Sequence, residues 1–225
     1  GELPPRGGGR LCLGREEAAC AGGEARAAVK KDSGDDPDVT NGILIFARVR
    51  LAGDGITIEG GEGIGRVTRP GLACPPGSAA INPVPRQMIR RALEEAAKEC
   101  GYAGGFWVEI SAPQGRALAE KTYNPRLGIV GGISILGSTG IVKPMSEEAL
   151  VQSIHTEINV LKAEGVRVLL AAPGSYGEEF LKESLGLDLR RGVQCSNFIG
   201  DTVEYAARLG FEGMLLAGHA GKLVK

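Results

Sequence analysis

The chain has 225 residues, 43% of them hydrophobic, with 26 Lys and Arg against 27 Asp and Glu. That is ample apolar material for a core, and a formal net charge of −1 creates no global field to recruit nucleic acid or an acidic membrane surface. No secretory signal pattern stands at Gly1 to Cys20 and no apolar run reaches about 18 residues, so a cytoplasmic protein that neither spans a membrane nor is exported is expected.

In chain order, Gly1 to Gly23 is rich in Gly and Pro without a sustained period and reads as an irregular N-terminal segment. Short strands follow at Ala25 to Lys30, at Gly42 to Leu51 with Arg48 and Arg50 on one face, and at Ile56 to Glu59, in an antiparallel arrangement. Between the first two, Asp32-Ser33-Gly34-Asp35-Asp36-Pro37-Asp38 sets four carboxylates within seven residues. The spacing is not that of an EF-hand. Two readings stand: a turn held by side-chain to backbone hydrogen bonds, or a site that uses carboxylates such as Asp35 and Asp36.

Gly60-Gly61-Glu62-Gly63-Ile64-Gly65 is a glycine-rich bend, but Arg66 to Gly71 after it reads as extended and is interrupted by Pro70, whereas a dinucleotide loop must open a helix. Pro75 to Ala80 superficially suggests the Gly/Ser phosphate loop of a small-molecule kinase, without the run of glycines that wraps a triphosphate. Asn82 and Pro83 begin a helix with Met88, Ile89, Ala92, Leu93, Ala96, Ala97 and Cys100 on its apolar face and Gly101 as its stop. Arg86 lies in the first turn, where a cation opposes the helix dipole at a cost of roughly a few tenths of a kcal/mol unless an anion lies nearby. This ranks it above Arg90 and Arg91 as a binding residue.

Phe106 to Ser111 alternates as a strand, with Trp107 read as packing. Ala112 to Gly115 turns the chain, Arg116 to Lys121 forms a helical turn, and Asn124-Pro125 ends it. From Gly60 to Met145, ten basic residues stand against six Glu and no Asp, a local surplus that suits an anionic small molecule.

After Arg126 the period alternates between strand and helix: Gly128–Ile135, Glu147–Glu164, Val166–Ala172, Glu178–Leu185, Val193–Cys195, Ile199–Leu209 and Phe211–Ala217. Gly128–Ile135 is apolar and β-branched, as for a strand buried on both faces. Pro144 stops earlier structure, Ser146 caps the next helix, and Glu147 and Glu148 suit its positive end. The expected fold is two-part. An α+β domain with a mostly antiparallel sheet covers 24–124, and an α/β domain with a parallel sheet of about four strands covers 125–225. Ligands of such sheets bind beyond the strand C-terminal ends, so the loops Gly137–Lys143, Pro173–Gly177, Ser196–Phe198 and Gly218–Gly221 should face one crevice. Gly131, Gly132, Gly137, Ser138, Thr139, Gly140, Gly174, Asn197 and His219 are its candidate lining. Glycines there also have a second reading, close packing of strand and helix. His155, in mid-helix, reads as a surface or core residue.

Cys12, Cys20, Cys74, Cys100 and Cys195 are odd in number and hold no C-x-x-C pair, which argues against a metal site and a disulfide framework.

Five segments in order, KDSGDDPDVTNG (Lys31 to Gly42), ITIEGGEGIGRVTRPGL (Ile56 to Leu72), AINPVPRQMI (Ala80 to Ile89), EISAPQG (Glu109 to Gly115) and KTYNPRLGIVGGISILGSTGIVKPMSEEAL (Lys121 to Leu150), together resemble the cobalt-precorrin-5B C1-methyltransferase family of anaerobic cobalamin synthesis. The resemblance covers roughly Gly23 to Gly221 and is far more specific than a lone glycine loop. It implies transfer of a methyl group from S-adenosylmethionine to C1 of cobalt-precorrin-5B, giving cobalt-precorrin-6A, with cobalt present only as part of the substrate. It also implies that the family's usual N- and C-terminal segments are missing here.

The acetate and propionate groups of such a macrocycle would be held by Arg66, Arg69, Arg86, Lys121, Arg126 and Lys143, with Asn82, Asn124, Asp35 and Asp36 as further substrate candidates. A sulfonium donor is already electrophilic, so the reaction needs alignment and dehydration more than a dedicated base, and no catalytic residue is assigned. Glu178, Asn197 and Asp201 are the candidates for the donor's ribose. A small-molecule kinase and a corrinoid carrier that does not turn over are the competing readings. The oligomeric state stays open.

Overall fold

The computed structural model describes residues 2–3, 11–12, 14–137 and 146–223. They form two compact units, Gly1–Thr68 with Pro76–Met145, and Arg69–Pro75 with Ser146–Lys225.

In the first unit, β1 (Glu2–Leu3) and β2 (Leu11–Cys12) pair antiparallel. Next come β3 (Glu17–Ala21), β4 (Glu24–Lys30), β5 (Leu44–Ala52), β6 (Ile56–Gly60), β7 (Arg66–Val67), α1 (Pro83–Glu99), β8 (Gly105–Ser111), α2 (Gly115–Ala119), α3 (Asn124–Leu127) and β9 (Ile129–Val130). The main sheet runs β3-β4-β5-β8-β6. Its edge strand β3 lies inside the segment expected to be irregular, and Gly22-Gly23 turns it into β4. The β4–β5 and β5–β8 pairs are antiparallel, but β6 pairs with β8 in parallel. The sheet is thus mostly antiparallel, as expected, and the parallel β6–β8 pair arises because the chain leaves β6, crosses over through α1 and returns in the same direction, the connection that parallel pairing needs.

Alternation sorts the sheet's two faces. Val108 and Ile110 of β8, with Ile58 of β6, are buried in a core that also holds Ile43, Ile64, Ile81 and Ile133, and Ile89 and Leu93 of α1 pack against it. Ala96 and Cys100 are exposed, so the apolar face read for α1 is covered only in part. On the opposite face Trp107 lies under the guanidinium groups of Arg48 and Arg50, 5.6 and 5.0 Å from its ring centroid, and Glu109 and Glu24 accept from the same two arginines. Packing is the right reading for Trp107.

Two expectations near the end of this unit are corrected. Asn124-Pro125 begins the short helix α3 instead of closing one, since Pro is accommodated in a first helical turn. Gly128–Ile135 is not a buried strand of a parallel sheet. Only Ile129–Val130 forms a strand, antiparallel to β7, with Val130 52% exposed, and Ile133 and Ile135 make single bridges to Ile64 and Ile81. The segment belongs to the first compact unit.

The second unit contains α4 (Glu147–Ala163), β10 (Val168–Ala172), α5 (Ser175–Leu185), a 3-10 turn (Leu189–Arg191), β11 (Val193–Gln194), α6 (Ile199–Arg208), β12 (Gly213–Leu216) and α7 (Ala220–Leu223). Ser146 Oγ accepts from the Ala149 amide at 3.4 Å and Glu147 and Glu148 lie in the first turn, the capping expected from sequence. The sheet has three strands in the order β11-β10-β12, all parallel, not about four, because the segment read as its first strand lies in the other unit. Ile154, Ile158 and Leu161 of α4 are buried with Leu169, Ala171, Val193 and Ala206. His155 stacks on Tyr205 with ring centroids 3.7 Å apart. No helix among the described residues is long and apolar enough to cross a membrane.

Candidate functional site

Because the three strands of the second unit are parallel, their C-terminal ends open along one edge. There the chain leaves β10 through Pro173-Gly174 into α5, β11 through Cys195-Ser196-Asn197 into α6, and β12 through Ala217-Gly218-His219 into α7. The amides of Cys195 and Ala217 donate to the carbonyls of Ala172 and Ala171, at 2.9 and 3.0 Å, which holds these exits to the sheet. Gly174, Asn197 and His219, three of the residues singled out from sequence, therefore share this edge.

Gly174 precedes α5 with no side-chain cap, and a Cβ built on it would meet nothing within 4 Å. Asn197 and His219 are exposed. His219 Nδ1 accepts from the Gly221 amide at 3.2 Å, which leaves Nε2 as the N–H of the neutral ring.

Two residues at this edge escaped the sequence reading. Tyr176 is 75% exposed, its ring centroid 6.3 Å from that of His219 at an interplanar angle of 52°. An aromatic between two glycines just past a strand end was the available signal. Ser196 has φ 51°, the one non-glycine in the left-handed region among the described residues, a conformation costing on the order of 1–3 kcal/mol and found most often at functional sites. Nothing in the letter Ser signals it.

Gly131, Gly132 and Gly137, the other described residues of the candidate lining, lie in the first unit. Gly131 and Gly137 have open space where a side chain would be, whereas a Cβ on Gly132 would fall 2.3 Å from the Gly63 carbonyl oxygen. Gly63 accepts from the Ile133 amide at 2.9 Å, and a Cβ on Gly63 would sit 1.7 Å from the Ala112 carbonyl oxygen. Gly132 thus follows the packing reading: backbone fills the place of its side chain. Ser138, Thr139, Gly140 and Lys143 lie outside the described residues.

Several substrate candidates are committed elsewhere. Arg86 donates to the backbone carbonyls of Ile81 at 2.8 Å, Ile58 at 2.8 Å and Ala79 at 3.4 Å. Those carbonyls, not an external anion, compensate its place in the first turn of α1. Arg69 makes a two-pronged pair with Glu164 within the second unit, both bonds 2.5 Å, which raises the guanidinium's pKa and holds the Glu164 carboxyl below its ordinary value. Asn124 is buried, its Nδ2 donating to the Gly132 carbonyl at 2.9 Å and its Oδ1 accepting from Ser134 Oγ at 3.0 Å. Arg66 is exposed and donates to the Gly77 carbonyl at 3.1 Å, Lys121 is exposed, and Arg126 and Asn82 are half-buried. Arg66 on β7, Arg126 on α3 and Lys121 just before α3 stand on consecutive or paired elements, since α3 leads into β9 and β9 pairs with β7.

The Pro75–Ala80 segment spends its amides internally: Gly77 donates to Val67 at 2.7 Å and Ala80 to Gly65 at 2.8 Å. Few remain for a phosphate.

The acidic loop is a turn built from its own side chains. Asp32 accepts from the Gly34 amide at 2.9 Å, Asp38 accepts from the Thr40 amide and hydroxyl at 2.7 and 2.6 Å, and Lys31 pairs with Asp38. Burial would push the Asp38 carboxyl up, but its bonds to Lys31 and Thr40 outweigh that and hold it below the ordinary carboxylate range. Asp35 is exposed and Asp36 half-buried. Among the described residues no group of three or more His, Cys, Asp or Glu is placed to hold a metal ion.

A mostly antiparallel α+β unit and an α/β unit with a three-stranded parallel sheet define the class of this chain. It belongs to the CbiD family, whose pattern matches residues 3–144. A cobalt-precorrin-5B C(1)-methyltransferase of Ruminiclostridium cellulolyticum is 57% identical over 198 residues, covering 88% of this chain and 52% of that protein. One of Salmonella arizonae is 52% identical over 216 residues, covering 96% and 56%. The chain thus spans about half the length of the curated relatives it matches. Among solved structures, the cobalamin biosynthesis protein (cbiD) of Archaeoglobus fulgidus aligns with a TM-score of 0.49 and 25% identity, over 99% of this chain and 68% of that one.

Proposed function

We propose that the chain takes part in transferring a methyl group from S-adenosylmethionine to C1 of cobalt-precorrin-5B, giving cobalt-precorrin-6A. The observation that carries this reading is identity of 52% or more, across most of the chain, to relatives named for that reaction. The C-terminal edge of the second unit's sheet is the proposed seat of the donor, with Gly174 offering open backbone and Asn197 and His219 offering polar groups. These fit a nucleoside-bearing ligand in kind: a flat ring, ribose hydroxyls and a charged tail call for exposed backbone, an amide and an imidazole.

The macrocycle's carboxylates are assigned to Arg66, Lys121 and Arg126, with Lys143 as a further candidate. Arg69, Arg86 and Asn124 are left out because their polar groups already serve the fold. The residues proposed here bind and align; the sulfonium supplies the electrophile, so no general base is required.

The test is an anaerobic assay with methyl-labelled S-adenosylmethionine and the cobalt tetrapyrrole, run on this chain and on one extended to the length of its relatives. Label in the macrocycle with either protein is the expected result. Macrocycle retained without label by both would identify a carrier, and binding of ATP but not of S-adenosylmethionine would favour the kinase.

A further inference from the structure

Tyr176 is the most exposed large apolar side chain among the described residues, at 75%, and it stands at the start of α5 on the sheet edge where ligands of parallel sheets bind. Exposure of that much aromatic surface forgoes burial free energy. His219 arrives beside it from the end of β12. At 6.3 Å and 52° the two rings meet at a tilt and do not cover one another, so each keeps a face open. Gly174, two residues before Tyr176, adds backbone with nothing within 4 Å of where its Cβ would be, and the exposed Asn197 comes from the neighbouring loop. A flat heteroaromatic ring matches such a pair: its face stacks on the phenol, and its polar edge meets groups that donate and accept.

We propose that Tyr176, flanked by His219, is the stacking platform for the adenine ring of an adenosine-bearing ligand. This rests on the reading above that the methyl donor sits at this edge, and it specifies which part of the donor lies where. Phe180, 53% exposed and one helical turn further along α5, lies about 6 Å beyond Tyr176 along the helix axis. That separates the platform from a second possibility, an apolar helix face that docks another polypeptide and would use both rings alike.

The experiment measures calorimetric binding of S-adenosylhomocysteine, and separately of ATP, to the full 225-residue chain and to its Tyr176→Ala, Tyr176→Phe and Phe180→Ala variants. Circular dichroism on each variant checks the fold. Stacking of a base on an aromatic ring predicts a Kd raised about tenfold in Tyr176→Ala, with Tyr176→Phe and Phe180→Ala within about twofold of the parent. If the parent binds S-adenosylhomocysteine and Tyr176→Ala binds it equally well, the platform is wrong while the donor reading stands. Binding of ATP alone, lost in Tyr176→Ala, supports the platform and removes the donor reading. An equal loss in Phe180→Ala overturns the platform in favour of a helix face, and binding of neither nucleotide overturns the platform while the labelled-donor assay decides the donor reading.

Discussion

At Gly63 and Gly132 in the first unit, neighbouring backbone occupies the volume a side chain would need, with the closest carbonyl oxygens 1.7 and 2.3 Å from the built Cβ atoms. At Gly174 in the second unit the same volume is empty to 4 Å. All three stand in glycine-bearing bends, and in sequence Gly132 and Gly174 carry the same weight as ligand-binding candidates. The structure separates them into glycines that let two backbones touch and a glycine that leaves backbone uncovered. Arginines divide in the same way. Arg86 is spent on three carbonyls of its own unit, while Arg66 is exposed and makes a single bond to a loop carbonyl.

The sharpest break of this comparison is a pair of alanine substitutions. Gly63→Ala must relieve a 1.7 Å contact with backbone at φ +73°, and a cost above about 4 kcal/mol is expected, enough to unfold the first unit. Gly174→Ala should cost about 1 kcal/mol or less, the difference between Gly and Ala at a helix N-cap. Trp107 is the chain's one tryptophan and lies in the first unit, so denaturation followed by its fluorescence reads that unit directly. An unmoved Trp107 transition in Gly63→Ala would show that the packing account is mistaken.

Next in size is Arg86→Met, which keeps the aliphatic stem and takes the guanidinium donors away from the Ile81 and Ile58 carbonyls, while the Ala79 carbonyl still accepts from the Ile81 amide at 2.7 Å. With about 1–3 kcal/mol for a polar group left unsatisfied, a loss of about 2 kcal/mol is expected in the same denaturation experiment. Lys121→Ala, at an exposed position, should stay within about 0.5 kcal/mol. The opposite pattern, an Arg86→Met protein of parental stability with weakened binding of a carboxylate-rich ligand, would restore Arg86 as a binding residue.

Periodicity made most elements legible. The alternation of Phe106 to Ser111, the 3.6-residue period from Asn82 to Gly101 and the strand and helix succession after Glu147 match the structure to within a few residues at their ends, because each pattern follows from burying one face. Gly128–Ile135 was illegible for a physical reason. An apolar β-branched run is the same string whether it pairs along its length or, as here, is pinned at single residues to Ile64 and Ile81. The shared sheet edge of Gly174, Asn197 and His219 was legible because topology alone decides it. The candidate site was not legible where distant partners decide it: Arg86 is bound to Ile58, 28 residues away, and Arg69 to Glu164, 95 residues away, separations on which local spacing says nothing.

The smallest effect expected separates the chain's two histidines. His219 is exposed at the sheet edge, while His155 lies on α4, stacked on Tyr205 with its Nε2 buried and unpartnered. Burial lowers the His155 pKa below its ordinary value, Arg208 lowers it further, and Asp201 opposes them. Between the ordinary value, about 6.5, and the depressed one, the unfolded chain binds a proton that the folded chain refuses. Stability is therefore whole above about pH 6.5 and falls as pH drops through that window. His155→Phe keeps a ring against Tyr205 and removes the titration. Far-UV denaturation of parent and variant from pH 8 to 5 should give a steeper acid decline in the parent, and since His219 and every carboxylate are common to both proteins, their contributions cancel in the difference. Parallel curves would mean that His155 meets water as freely as the histidine at the edge.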